Sequence, residues 1–168
     1  MTVMEAIQGR RSIRSYSDKP IEQEKITAVM EAARLAPSAR NRQKWKFIVV
    51  TDSEVKDKLL DACNGQPFIK QAPAAIIACG EEPGIMSCGQ PVEVIDSSIA
   101  LSFVMLKAFE EGLGTCWLGN FNQEKVKAVA NIPDDVVVVA VTPLGYPLDI
   151  PDARPRKEFD EVISYNKY

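Results

Sequence analysis

The chain has 168 residues, with 20 Lys plus Arg against 23 Asp plus Glu and no histidine, so its formal charge is −3. The absence of imidazole excludes Ser-His and Cys-His nucleophile pairs, histidine-ligated zinc and haem held by an axial histidine. Any catalysis must therefore depend on another residue type or on a bound cofactor.

The length predicts one domain over residues 1–168. Apolar residues make up 46% of the chain and charged residues 26%, a composition that is neither disordered nor membrane-embedded. A pI near 5.1 argues against a general nucleic-acid-binding protein. The four cysteines form no CxxC pair, so we expect free thiols and no metal site. Together with an N-terminus that lacks an apolar signal segment, this favours a cytoplasmic protein.

Two helices are predicted at the start of the chain. Thr2 and Glu5 have the spacing of a capping box for a short first helix. A second helix is predicted to open at Pro20 and to end before Pro37, because apolar residues recur at helical spacing over residues 26–33.

Three later segments predict strands: Trp45–Thr51, Ala74–Cys79 and Val136–Val141, the last of which we expect to end before Pro143. Ser53 is predicted to cap the helix that follows the first strand. Strand segments separated by helices favour a layered α/β or α+β domain.

The segment from Val92 to Glu111 predicts a long apolar helix. Nine of the eleven residues from Ile99 to Phe109 are apolar, which leaves no polar face and predicts burial on all sides. Asp96 and other polar residues interrupt the segment, so it does not resemble a membrane span. Two interpretations stay open: a central core helix, or a helix shared between the core and a subunit interface.

Two basic clusters stand near the ends of the chain. Arg10, Arg11 and Arg14 flank Ser12 and give a local charge of +3. They are either a solvated turn or a clamp for phosphate or carboxylate groups, which guanidinium forks bind bidentately. The second cluster, residues 154–157, lies among acidic residues and has the same two interpretations.

Two further segments have the composition of ligand-contacting loops. Residues 112–119 are glycine-rich, but a helix precedes them, so they do not fit a dinucleotide-binding fingerprint. Gly112 is predicted to cap that helix, and Gly119 to let main chain approach a flat ligand. Residues 36–45 are either a polar connection or the edge of a site for a heteroaromatic ligand.

Taken in order, five motifs resemble the FMN-dependent nitroreductase family: RRSIRSY at 10–16, APSARNRQKW at 36–45, GLGTCWLGNF at 112–121, PLGYP at 143–147 and RPRK at 154–157. The resemblance spans nearly the whole chain. It implies an α+β fold with a central, mostly antiparallel or mixed β-sheet flanked by helices, a buried central helix and a homodimer.

The resemblance also implies a bound FMN. Basic residues from both ends of the chain would share its phosphate, and Arg14 would lie by the flavin N1 and O2. Residues 37–41 would contact the ring from the partner subunit, and the Gly119 amide would point at N5. The implied cofactor-binding residues are Arg10, Arg11, Ser12, Arg14, Pro37, Ser38, Ala39, Asn41, Gln66, Trp117, Leu118, Gly119, Arg154 and Arg156.

The activity implied by the resemblance is reduction of nitroaromatics, quinones or similar electron-poor acceptors by a ping-pong hydride transfer. NADH or NADPH would bind transiently as the donor. No side chain is expected to be catalytic, because the flavin N5 carries the chemistry while Arg14 and the Gly119 amide tune it.

Three departures from the family pattern leave the acceptor open: Lys44 replaces a frequent proline, Asn120 replaces a small residue, and the connection over residues 80–91 is short. Alternatives are a flavoprotein with another donor or another flavin chemistry, a non-catalytic FMN-binding or sensor protein, and a flavin-free interaction domain. Cys116 is either an inert buried thiol or a redox sensor.

Overall fold

The computed structural model describes all residues from Met1 to Tyr168. The α-helices are α1 (Val3–Gly9), α2 (Gln23–Arg34), α3 (Ser53–Ala62), α4 (Pro67–Gln71), α5 (Val92–Glu110), α6 (Gln123–Ala130) and α7 (Phe159–Val162). The strands are β1 (Trp45–Val50), β2 (Ala74–Gly80), β3 (Gly114–Thr115) and β4 (Val137–Gly145), and a 3-10 helix spans Ala39–Asn41.

The four strands form one antiparallel sheet in the order β1-β2-β4-β3. Side chains of β2 alternate between its two faces, and every residue of β2 is buried. Ile77 packs into a core cluster with residues of α3, α4 and α6, whereas Ile76 packs into a second cluster with residues of α2 and α5. This confirms the predicted α+β architecture, with helices on both faces of an antiparallel sheet.

The helix starts agree only partly with the sequence prediction. The capping box of Thr2 and Glu5 is present. The predicted cap at Ser53 is wrong: the Asp52 carboxylate accepts the Val55 N–H at 2.9 Å, and Ser53 is the first helical residue. An aspartate one position earlier reaches the free N–H groups of the first turn equally well, and sequence spacing alone did not separate the two.

The second helix begins at Gln23 rather than at Pro20. Glu22 keeps an extended backbone because its carboxylate pairs with Lys19 at 3.3 Å and accepts the Tyr146 hydroxyl. These contacts hold the residues after Pro20 against Tyr146, which follows β4, and the helix therefore starts at Gln23.

The third predicted strand does not end at Pro143 but continues through it to Gly145. The Val141 main chain exchanges hydrogen bonds with the Leu118 main chain, at 2.9 and 3.1 Å. Main-chain N–H groups two residues apart in a strand point the same way, so the Pro143 nitrogen faces the side of the sheet edge where β3 and Leu118 lie. On that side β3 has already ended, and the Cys116 N–H bonds the Thr142 hydroxyl at 3.2 Å instead. The proline is tolerated because no strand partner requires its missing N–H.

The expectation that the long helix is buried on all sides is wrong for the single chain. Leu101 and Val104 of α5 are fully buried, but Val94 and Phe103 are 36% and 40% exposed. Phe103 lines an open cleft with residues of α1, and Val94 lies nine residues earlier on the opposite side of the helix. The single chain therefore leaves parts of α5 uncovered, which favours the second sequence interpretation, a helix shared with an interface. None of the helices has the length and apolar character that crossing a membrane requires.

Candidate functional site

Residues from both ends of the chain line one cavity of about 160 Å³. Its lining consists of Arg10, Arg11, Ser12, Arg14, Pro151, Asp152, Arg154 and Arg156, and we call it the arginine cavity. None of its five arginines forms an ion pair, although the chain contains nine ion pairs elsewhere. Concentrated positive charge without carboxylate partners is the electrostatic signature of an anion site.

The N-terminal side of the cavity is fixed by main-chain contacts with β3. The Ile13 N–H donates to the Thr115 carbonyl at 2.9 Å, and the buried Tyr16 hydroxyl donates to the Ile13 carbonyl at 2.8 Å. A Cβ on Gly114 would lie 2.6 Å from the Ile13 side chain, so glycine is required for this approach. The turn that carries the first three arginines is therefore rigidly attached to the sheet.

The C-terminal side is brought in by the residues that follow β4. The Ser17 N–H donates to the Tyr146 carbonyl, and the Leu148 N–H donates to the Ser15 carbonyl, both at 3.0 Å. These hydrogen bonds hold the C-terminal segment beside the N-terminal turn. They explain how residues about 140 positions apart come to face one cavity.

The five guanidinium groups differ in how far they are already hydrogen bonded. Arg11 donates to the carbonyls of Gln8 and Arg10 at 2.6 and 3.0 Å, and Arg156 donates to two carbonyls of its own segment at 3.3 and 3.4 Å. The side chains of Arg10, Arg14 and Arg154 make no such bond. Their donors are free for a ligand.

Two titratable side chains lie beside the cavity. Burial raises the pKa of the Tyr16 phenol, and Arg14 acts in the opposite direction. Burial also raises the pKa of the Cys116 thiol, while Arg14, Ser12 and Arg10 lower it. Cys116 therefore stays a protonated thiol at neutral pH, which favours the inert interpretation over the redox sensor.

The segment that follows β3, residues 116–119, adjoins the cavity, because Ser12 of the cavity forms an isolated β-bridge with Thr115. Trp117 is 37% exposed, and a Cβ on Gly119 would meet no atom within 4 Å, so both residues offer open surface. Leu118 requires a correction: it packs into the core and bonds Val141, so its side chain does not line a ligand face.

Gln66 is half-buried at the start of α4. Its loop is tied to the residues after Gly119, since the Asn64 side-chain amide donates to the Asn120 side-chain oxygen at 2.9 Å.

The remaining predicted residues, Pro37, Ser38, Ala39 and Asn41, do not line the arginine cavity of their own chain. Ala39 lies instead at a separate cleft of about 370 Å³, opposite residues 84–87. The structure thus brings together the two arginine clusters but leaves this loop apart from them.

Two residues of these sites were missed by sequence reasoning. Asp152 is the one carboxylate in the lining of the arginine cavity. Asp96, 4% exposed, accepts the Ala39 N–H with both carboxylate oxygens at 3.1 Å. The position of Asp96 in a helix with a buried face could have indicated its role, because a buried carboxylate requires a hydrogen-bond partner.

Comparison with known proteins identifies relatives across the whole chain. The Nitroreductase family profile matches residues 7–88 and 65–146. A putative NADH dehydrogenase/NAD(P)H nitroreductase of Archaeoglobus fulgidus is 40% identical over 153 residues, which cover 89% of this chain and 87% of the relative. The FMN reductase [NAD(P)H] of Bacillus subtilis is 30% identical over 186 residues, which cover 99% of this chain and 74% of the relative.

Solved structures agree with these sequence matches. A nitroreductase family protein of Clostridium novyi NT is 36% identical, with a TM-score of 0.82 over 89% of this chain and 87% of that chain. Another, from Clostridium difficile 630, is 31% identical, with a TM-score of 0.90 over the full length of both chains.

Inorganic phosphate is expected to raise the melting temperature of the ligand-free protein, because an anion that binds the folded arginine cavity stabilises it by mass action. Arg10→Gln and Arg156→Gln should each reduce this rise, since each removes a cation from a different end of the chain. Arg34→Gln is the control, because Arg34 pairs with Glu31 away from the cavity. Scanning fluorimetry with added phosphate measures the shift; an equal rise in all four proteins contradicts the assignment.

Proposed function

The chain belongs to the nitroreductase family, and on that basis we propose that it is an NAD(P)H-dependent FMN oxidoreductase. Relatives described as FMN reductases and as NAD(P)H nitroreductases support this function. The observation that carries the proposal is the convergence of five unpaired arginines on one cavity in an acidic chain.

The residues of the cavity fit the phosphate of FMN. A phosphate dianion offers three oxygens to donors, and the lining supplies guanidinium groups and the Ser12 hydroxyl. The adjoining exposed surfaces of Trp117 and Gly119 suit the flat ring of FMN, which is uncharged in its oxidised state. We therefore assign FMN to the arginine cavity and the segment beside it.

When bound, FMN supplies the two-electron chemistry that links a nicotinamide donor to an acceptor. The chain contributes binding and electrostatics. Arg14 is exposed and has no carboxylate partner, so its full charge is available to stabilise negative charge on the ring. Burial raises the pKa of Tyr16 and of Cys116, which makes both groups weak proton donors, and the chain has no histidine, so we expect water to supply the protons.

We propose further that the protein is a homodimer and that FMN binds at its interface. The predicted ring-contacting loop lies outside the arginine cavity of its own chain, as expected if it serves the partner's site. The single chain also exposes large apolar side chains in three regions, and an exposed apolar surface of this kind is typical of an interface. They are Met1, Val3, Met4 and Ile7 at α1, Val94 and Phe103 on α5, and Leu148, Ile150, Phe159, Val162, Ile163, Tyr165 and Tyr168 at the C-terminus.

Several finer points stay predictions. They are the acceptor class of nitroaromatics, quinones or similar electron-poor compounds, the choice between NADH and NADPH, the single domain over residues 1–168 and the cytoplasmic location. The alternatives with another donor or a sensor role have no structural observation that favours them, and one experiment separates them from the proposal.

The purified protein is expected to be yellow, and NADH or NADPH should bleach it under anaerobic conditions, because the bound flavin accepts the hydride of a nicotinamide. Absorbance spectroscopy follows the flavin band, and addition of a nitroaromatic or a quinone should restore it. Reduction by dithionite but by neither nicotinamide would favour another donor. Reduction without transfer to an acceptor would favour a sensor, and colourless protein after FMN addition would refute FMN binding.

Phe103→Glu is expected to produce a monomer that loses FMN, because a carboxylate at this partly exposed apolar position of α5 could not be desolvated in an interface. Light scattering coupled to size-exclusion chromatography gives the mass, and the flavin absorbance gives the FMN content. Lys58→Glu, on the exposed side of α3, is the matched control. A wild-type monomer that retains FMN contradicts the interface assignment.

A further inference from the structure

Two buried carboxylates lie in the first two turns of α5, and each holds a different loop. Glu93, 8% exposed, accepts the Gly84 N–H at 3.0 Å. Asp96, 4% exposed, accepts the Ala39 N–H with both oxygens at 3.1 Å. Neither carboxylate forms an ion pair, so each depends on main-chain donors for its stabilisation.

The position of these carboxylates follows from the packing of α5 on the end of β2. A Cβ on Gly80 would lie 2.6 Å from the Glu93 Cβ, so only glycine allows this approach. The Ser97 hydroxyl donates to the Cys79 carbonyl at 3.4 Å, which fixes the next turn. Asp96 is consequently presented to the loop that precedes β1 at a defined place.

That loop, from Ser38 to Gln43, has an uncommon backbone. Arg40, Asn41 and Gln43 adopt positive φ angles of 53°, 54° and 53°. Residues with side chains adopt this conformation only where the surroundings impose it, and such segments cluster at ligand sites. The 38–43 loop therefore depends on specific contacts to keep this conformation.

Hydrogen bonds within the loop link Ser38, Asn41 and Gln43 but do not attach the loop to the rest of the fold. The Ser38 hydroxyl accepts the Gln43 N–H at 3.0 Å, and the Gln43 amide donates to the Asn41 carbonyl and side-chain oxygen at 3.2 and 3.1 Å. Among side chains of other elements, only the buried Asp96 bonds the main chain of the loop. A hydrogen bond to a carboxylate is stronger than one between neutral groups. Asp96 thus anchors the end of the loop from which Ser38 and Asn41 are presented.

We propose that Asp96 is the positioning residue of the 38–43 loop and that FMN affinity depends on it through the Ala39 N–H. The inference rests on the proposed function. Asp96 is buried on the side of α5 that faces the protein core, so it acts through the loop rather than by contact with FMN. It fixes the loop that we propose contacts the ring across the subunit interface, while Glu93 holds the neighbouring segment at Gly84, which contains none of the residues assigned to FMN.

Asp96→Ala and Glu93→Ala form a matched pair, because both remove a buried carboxylate from the same end of α5 and free one main-chain N–H. Fluorescence titration of the flavin-free variants with FMN should give a dissociation constant at least about tenfold higher for Asp96→Ala, equivalent to about 1.4 kcal/mol. Glu93→Ala should stay within about threefold of wild type. Asp96→Asn keeps an acceptor oxygen and should restore most of the affinity, and the visible circular dichroism of bound FMN should change only in Asp96→Ala.

Equal losses of affinity in the two alanine variants, in proportion to their losses of stability in urea, would overturn the inference and make Asp96 merely structural. If Asp96→Ala does not fold, Ala39→Pro decides the matter, because it removes the donor N–H and keeps the carboxylate. Ala39→Gly changes the same side chain but keeps the N–H. A tenfold loss of FMN affinity in Ala39→Pro but not in Ala39→Gly supports the inference, and unchanged affinity in Ala39→Pro or equal losses in both variants overturn it. Failure of the wild-type protein to bind FMN would refute the proposed function instead, so the two failures are distinguishable.

Discussion

Repulsion among five guanidinium groups in one cavity is the interaction on which the site depends. Asp152 is the one carboxylate that lines the cavity, so the chain itself neutralises little of this positive charge. The fold maintains the cluster because main-chain bonds, not charge, hold its two halves: Ile13 to Thr115 on one side and Leu148 to Ser15 on the other. An anion that enters the cavity relieves the repulsion, and this makes phosphate binding favourable.

The rest of the fold divides into parts that build this cavity and parts that lie apart from it. The strands β3 and β4 gather the arginine turn, the C-terminal segment and the open surface at Trp117 and Gly119. Helix α5 anchors the 38–43 loop through Asp96 and leaves Phe103 exposed on another side. One chain holds the arginine cavity but keeps the 38–43 loop away from it, which is why the FMN site and the dimer form a single proposal.

Local features of the fold were predictable from the sequence, whereas features that depend on distant neighbours were not. The capping box at Thr2 and the buried strand β2 follow from short-range spacing and apolar content. The passage of β4 through Pro143 was missed because it depends on where β3 ends. Burial around α5 was overestimated because apolar composition does not show which apolar side chains the chain itself covers. The juxtaposition of the two arginine clusters came from the family resemblance, since no local pattern brings residues 10 and 156 together.

Binding of FMN and of riboflavin to the flavin-free protein tests the central claim most directly, because the two ligands differ only in the phosphate. Titration calorimetry in low salt is the measurement. If the arginine cavity holds the phosphate, FMN should bind at least about a thousandfold more tightly than riboflavin, as several charge-assisted hydrogen bonds imply. Equal affinities for the two flavins would show that the arginines do not take part in binding, and would contradict the account.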